Sequence, residues 1–245
     1  MPVMASARFV SGGYFIARKL ERDDQAMGVD LLPPRILSAS SCLCDTVPDV
    51  WSIGWSEVSR DAQRATAAHF GLDDAALDRV IEWTTSALDD GRAGWPNVLF
   101  TLRDARDFAA RFLDASAAVT LFGLALPDDL AREFAVDARP KSATEGPMGL
   151  WQAIERGDPP APGGTVLGFE VLGYDRGFHS FVCNGLERVF RDALQIVPNA
   201  NGLYENEHEA RRCADHAMRP DVGAEPGLWL PWQMTRYEIS SGNSG

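Results

Sequence analysis

His179 and Cys183 stand four residues apart in the stretch FHSFVCNG, a spacing that sets two side chains on one face of a helix. A helix beginning near Ser180 would hold Cys183 in its first turn, where the positive end of the helix dipole favours a thiolate. A thiolate beside an imidazole is a nucleophile with its base, so the pair is the candidate for hydrolysis or acyl transfer. The signature of a known cysteine-hydrolase family does not surround it. A competing reading packs Cys183 as a small apolar side chain with Phe181, Leu186 and Phe190.

The remaining cysteines, Cys42, Cys44 and Cys213, together with His216, are of the types that ligate zinc. The single-residue gap of Cys42-Leu43-Cys44 departs from the two-residue gap of zinc ribbons, so no metal is expected. Gly54-Trp55-Ser56-Glu57-Val58 lacks the second glycine of a serine nucleophile elbow. Pro162-Gly163-Gly164 precedes a strand rather than a helix and reads as a loop, not a phosphate cradle. Phosphate-loop, dinucleotide and zincin motifs are likewise missing, and nothing in the chain requires a cofactor.

Charge points elsewhere. Acidic residues outnumber basic ones 35 to 23, a formal charge of -12, and such a field repels phosphate backbones and anionic lipids. Neither nucleic acid nor membrane is an expected partner; the longest apolar stretch, 117–127, is too short to span a bilayer. The start of the chain does not read as a secretory leader, so the expected location is cytoplasmic and the expected thiols are reduced.

The run Glu205, Glu207 and Glu209 reads as a helix start, where carboxylates suit the dipole. Extended by Asp73-Asp74, Asp89-Asp90 and Asp128-Asp129, it could form an acidic face that meets a basic protein. Tryptophan is strongly enriched at binding hot spots, and of Trp51, Trp55, Trp83, Trp95, Trp151, Trp229 and Trp232 the last two, in GLWLPW, are the expected contact surface. Charge and tryptophans together favour a non-enzymatic protein that binds another protein, for example a bacterial immunity protein inhibiting a toxin. The alternatives are a cysteine-dependent hydrolase or acyltransferase, and a homo-oligomeric scaffold pairing through the apolar C-terminal strand.

The elements that must position these residues follow from periodicity. Glycines in SARFVSGGYFIARK suggest a hairpin around Ser11-Gly12-Gly13, and WSIGW alternates like a half-buried strand. Residues 59–91 hold two amphipathic helices; in the second, Leu77, Val80, Ile81, Thr84 and Leu88 share a face. Residues 102–114 form a third helix, AAVTLFGLAL a buried strand, and Pro127 opens another helix. A Pro/Gly-rich connection over 139–164 carries one short helix, GLWQAIER, and beyond it come strand, helix, helix and strand. The fold class is α+β: a small antiparallel N-terminal sheet, central helices and a C-terminal strand-helix-helix-strand part. Its lobes are 1–138 and 165–245, joined by 139–164, or all form one continuous domain. At 245 residues one core can bury roughly 70–75% of the unfolded chain's surface.

Overall fold

A computed structural model of the chain describes residues 8–19, 31–33, 36–40, 43–46, 59–68, 70–94, 98–113, 119–139, 149–175 and 177–239. Its organising element is a strand that is apolar on both sides. In β1 (Phe9–Lys19), Phe15 and Ala17 point to one face while Tyr14 and Ile16 point to the other, and all four are buried. In β5 (Val119–Pro127) every residue from Leu121 onward is buried. Strands of this kind need cover on both faces, so they lie inside a sheet layered by helices.

The other strands are β2 (Cys44–Thr46), β3 (Ala93–Gly94), β4 (Val98–Leu99), β6 (Thr165–Tyr174), β7 (Phe178–Ser180) and β8 (Leu228–Tyr237). They join in the order β3-β4-β1-β5-β8-β6-β7, with β2 against the end of β1, and all pairs are antiparallel. β8 lies between β5 and β6: Leu121 faces Tyr237 across one ladder and Tyr174 faces Leu228 across the other. The fold is α+β, and the strands of both chain ends belong to one sheet.

Seven helices flank this sheet among the described residues. On the face carrying Tyr14, Ile16 and Tyr237 sit α1 (Arg60–Ala68), α2 (Asp74–Asp89) and α3 (Leu102–Phe112). Further along the same face, α6 (Leu186–Leu194) and α7 (Glu207–Ala217) cover Val171 and Trp229. The opposite face, with Phe15, Phe122, Leu172 and Trp232, receives α4 (Asp128–Asp137) and α5 (Gly149–Arg156). In α2 the buried stripe is Leu77, Val80, Trp83, Thr84 and Ala87, with Ile81 and Leu88 half-buried at its margin. Asp73, Thr101 and Asn206 cap α2, α3 and α7 by accepting from the N–H of Ala76 (2.7 Å), Asp104 (3.0 Å) and Glu209 (2.9 Å).

The expected hairpin at Ser11-Gly12-Gly13 is instead a bulge within continuous β1: the register against β5 shifts between Ser11 and Gly13. Gly13 takes a φ of +94°, and a Cβ there would lie 2.1 Å from Val98 Cγ2. On Gly12 it would lie 2.8 Å from the Trp232 ring, so the glycines admit neighbours as well as bending the strand. The expected strand WSIGW, Trp51, Trp55, Trp95 and Cys42 lie outside the described residues.

The described part of the Pro/Gly-rich connection is fastened to the sheet. The Asp158 carbonyl accepts from Ser11 N–H (2.7 Å), and Ala161 is held at its N–H by the Tyr14 hydroxyl (2.9 Å) and at its carbonyl by the Tyr237 hydroxyl (2.8 Å). Through the β5–β8 pairing one sheet runs from the part before this connection into the part after it.

Candidate functional site

The chemistry-bearing residues gather where β7, the turn at 181–185, α6 and residues 36–40 meet. Phe181 extends the β7 ladder by donating its N–H to the Val171 carbonyl (3.1 Å), and Gly185, at φ +63°, turns the chain into α6. Helix therefore begins at Leu186 rather than near Ser180. This corrects the expected geometry of the pair: His179 is on a strand and Cys183 is in a turn, so they do not share a helix face. The competing reading is corrected as well. Phe181, Leu186 and Phe190 pack together in the core, but Cys183 is exposed, with its Sγ 3.7 Å from Ser40 Oγ.

His179 has a carboxylate partner. Its Nδ1 lies 2.6 Å from Glu225 Oε2, and Asn184 Nδ2 donates to the same oxygen (3.3 Å). Asn184 Oδ1 in turn accepts from Glu225 N–H (2.8 Å), and the Glu225 carbonyl accepts from Trp229 Nε1 (3.0 Å). An Nδ1–H directed at Glu225 leaves Nε2 as the basic nitrogen. Asn184, next to Cys183 in the chain, connects the turn to the His179–Glu225 pair.

Beside these lies a group that the sequence reading missed. Glu170, opposite Trp232 in the β6–β8 ladder, is 1% exposed. Its Oε1 accepts from the hydroxyls of Ser38 (2.5 Å) and Ser180 (3.0 Å), and its Oε2 accepts from Ala39 N–H (3.3 Å). Burial pushes the carboxyl up to about 7, outweighing the three hydrogen bonds that favour its ionised form. Its sequence signal was a lone acid inside the otherwise apolar strand TVLGFEVLGY.

Trp229 and Trp232 are not a contact surface. They are 1% and 0% exposed, placed in the core by a strand whose two faces are both covered. The Trp229 ring lies over Gly173, and Trp232 packs edge-on against Phe134 and Phe178 at 5.5 and 5.4 Å. The C-terminal strand is paired with β6 from Leu228 to Arg236 and with β5 from Gln233 to Tyr237, so its second half presents no edge to a second copy.

The acidic helix starts do converge in part. Arg211 binds Glu207 (2.7 Å) on its own helix and Asp129 (2.8 Å) at the start of α4, which holds the Asp129 carboxyl below its usual range. Glu205 is exposed, and Glu209 donates its N–H to the Asn206 cap. Much of this charge is matched locally: Asp74 pairs with Arg64, Asp90 with Arg92 and Asp128 with Arg132. Cys44 and Cys213 lie in core clusters on opposite faces of the sheet, and burial pushes the Cys213 thiol up to about 12. Among the described residues no three potential ligands gather for a metal ion.

No protein-family model matches the chain, and comparison with curated proteins and with solved structures likewise finds no match. Among the described residues no helix is long and apolar enough to cross a membrane.

Proposed function

We propose that the chain is a cysteine-dependent hydrolase or acyltransferase in which Cys183 is the nucleophile, His179 the base and Glu225 the group that orients His179. One observation carries this reading: an exposed thiol in a strand-turn-helix junction is joined, through Asn184, to an imidazole held by a carboxylate. A nucleophile and base that stand apart in an unliganded protein commonly close to hydrogen-bond distance once substrate is bound. The substrate class is an ester, thioester or amide. The thiol proton passes to His179 Nε2 as sulfur bonds to the acyl carbon; the bond to the leaving group breaks, and the imidazolium gives its proton to that group. Water or an acceptor alcohol or amine then takes the acyl group, which restores the thiol.

The test is thiol labelling joined to turnover of a p-nitrophenyl ester. Iodoacetamide followed by peptide mapping is expected to label Cys183 in the native protein and to leave buried Cys213 unlabelled. Cys183→Ala is expected to abolish ester turnover, and His179→Gln to lower it by about 100-fold. A Cys183 that alkylates only in denaturant, or a Cys183→Ala protein that keeps the wild-type rate, overturns the assignment.

The charge of -12 favours a second reading: a protein that binds a basic partner, as an immunity-type inhibitor does, through the surface around Glu205, Glu207, Glu209 and Asp129. Such binding is steered by screened charges, so a partner captured at low ionic strength is expected to leave in about 0.5 M salt, where screening is short-ranged. A partner equally retained in both conditions counts against it.

A further inference from the structure

We propose that Glu170 is the positioning residue of the Cys183 site: by pinning two serine turns to one carboxylate oxygen, it sets the thiol against Ser40. The inference rests on the reading of Cys183 as a reactive thiol and adds to it what holds the thiol in place.

The two turns are built alike. Ser38 Oγ accepts the N–H of Ser40 (3.0 Å), and Ser180 Oγ accepts the N–H of Val182 (3.3 Å). A hydroxyl has one proton to give, and both serines give theirs to Glu170 Oε1. The carboxylate therefore fixes both hydroxyl rotors, and with them the backbone of 38–40 and of 180–182. The chain positions that follow these anchors bring Ser40 Oγ and Cys183 Sγ to 3.7 Å, although the two residues are 143 apart in sequence.

Protonation of the carboxyl disturbs this arrangement wherever the proton goes. On Oε1 it displaces one serine proton; on Oε2 it faces the Ala39 N–H. One of the three hydrogen bonds is lost in either case, and the strong bonds that an ionised acceptor makes to the others are weakened. Burial places this titration at about 7. The groups facing Glu170 are Ser38 and, behind it, the Cys44 thiol that accepts Ser38 N–H (3.3 Å); Ser180 from β7; Trp232 from β8 with Phe134 of α4 beside it; and Tyr174 farther along β6. No charged side chain of the described residues is among them, so the titration belongs to this carboxyl alone.

The experiment compares iodoacetamide alkylation of Cys183 in wild type and Glu170→Gln between about pH 6 and pH 8.5, with peptide mapping and near-ultraviolet circular dichroism to verify the fold. Gln stays uncharged throughout, so the ratio of the two rates cancels the ordinary rise of thiolate with pH. Above pH 7 the wild-type thiol, held against a hydroxyl that donates to its thiolate, is expected to react about tenfold faster than the variant, the effect of one hydrogen bond to a charged group. Below pH 6.5 the ratio is expected to approach one. Ser38→Ala, which removes one pin and keeps the carboxyl, is expected to lose part of the same advantage, and carries the test if Glu170→Gln does not fold. A ratio of one at every pH, or a constant ratio without a step near pH 7, overturns the proposal. His179→Gln over the same pH range, with Glu170 intact, reads the proposed base separately: the step persists if only the catalytic pairing fails.

Discussion

Glu170→Gln is expected to gain stability over wild type as pH rises, by about 2 kcal/mol between pH 5.5 and pH 8, because the folded carboxyl titrates at about 7 and the unfolded one at 4.5. The sign follows from proton counts. Between those two values the folded chain keeps a proton that the unfolded chain has released, so wild-type stability falls through the window and levels off above about pH 7. Glutamine has no proton to lose, and its stability does not follow that slope. Its amide also meets Ala39 N–H where an acceptor stood, which adds a constant offset and leaves the slope unchanged. Urea unfolding of both proteins at several pH values above the isoelectric region near 4.7 reads the difference. Parallel stability curves would show that the carboxyl is not held protonated by the fold.

Trp232→Ala is expected to destabilise the protein by about 4 kcal/mol, the middle of the range for truncating a large buried aromatic. For a chain of this size that corresponds to a fall in Tm of roughly 10 °C. The ring fills space bounded by Gly12, Phe134 and Phe178, on three different elements, so partial collapse cannot refill it. Trp232→Phe should cost far less, about 1–2 kcal/mol, because the indole N–H it removes has no hydrogen-bond partner among the described residues. Thermal unfolding of the two variants separates packing from the polar atom. A loss under about 1 kcal/mol for the alanine variant would return Trp232 to the surface, where single truncations are usually mild.

Local pattern made much of the fold legible. The stripe of α2, the two-faced apolarity of β5 and the proline that opens α4 each depend on neighbours within a dozen residues, and each was readable from the chain. What failed depended on distant contacts. Gly12 and Gly13 look like a turn until Trp232 and Val98 are seen to need the space where side chains would be. Trp229 and Trp232, flanked by Gly and Pro, look like rings at element ends; they are core because helices cover both faces of β8.

The candidate site divides the same way. Cys183 and His179 could be picked out by residue type, but a turn intervenes where a helix was expected, since Phe181 is drawn onto β6 before α6 begins. Glu170 could be noticed as an acid in an apolar strand. Its role could not, because Ser38 is 132 residues away along the chain. Glu225 had no signal at all: it lies in a loop and meets His179 only when the strand order brings β7 and the approach to β8 together.

The place of β8 also governs how the molecule is made. Its residues, Leu228–Tyr237, leave the ribosome after those of β1 to β7, yet they bridge β5 and β6 in the interior of the sheet. Until they emerge, β6 and β7 have no strand linking them to β1 and β5, and the buried faces of both halves are without their common partner. Closure of the sheet is thus deferred until β8 has been made, a long-range closure of the slow kind. A nascent chain arrested before Leu228 would expose two incomplete sheet edges to chaperones, and synthesis through Tyr237 would supply the strand that closes them.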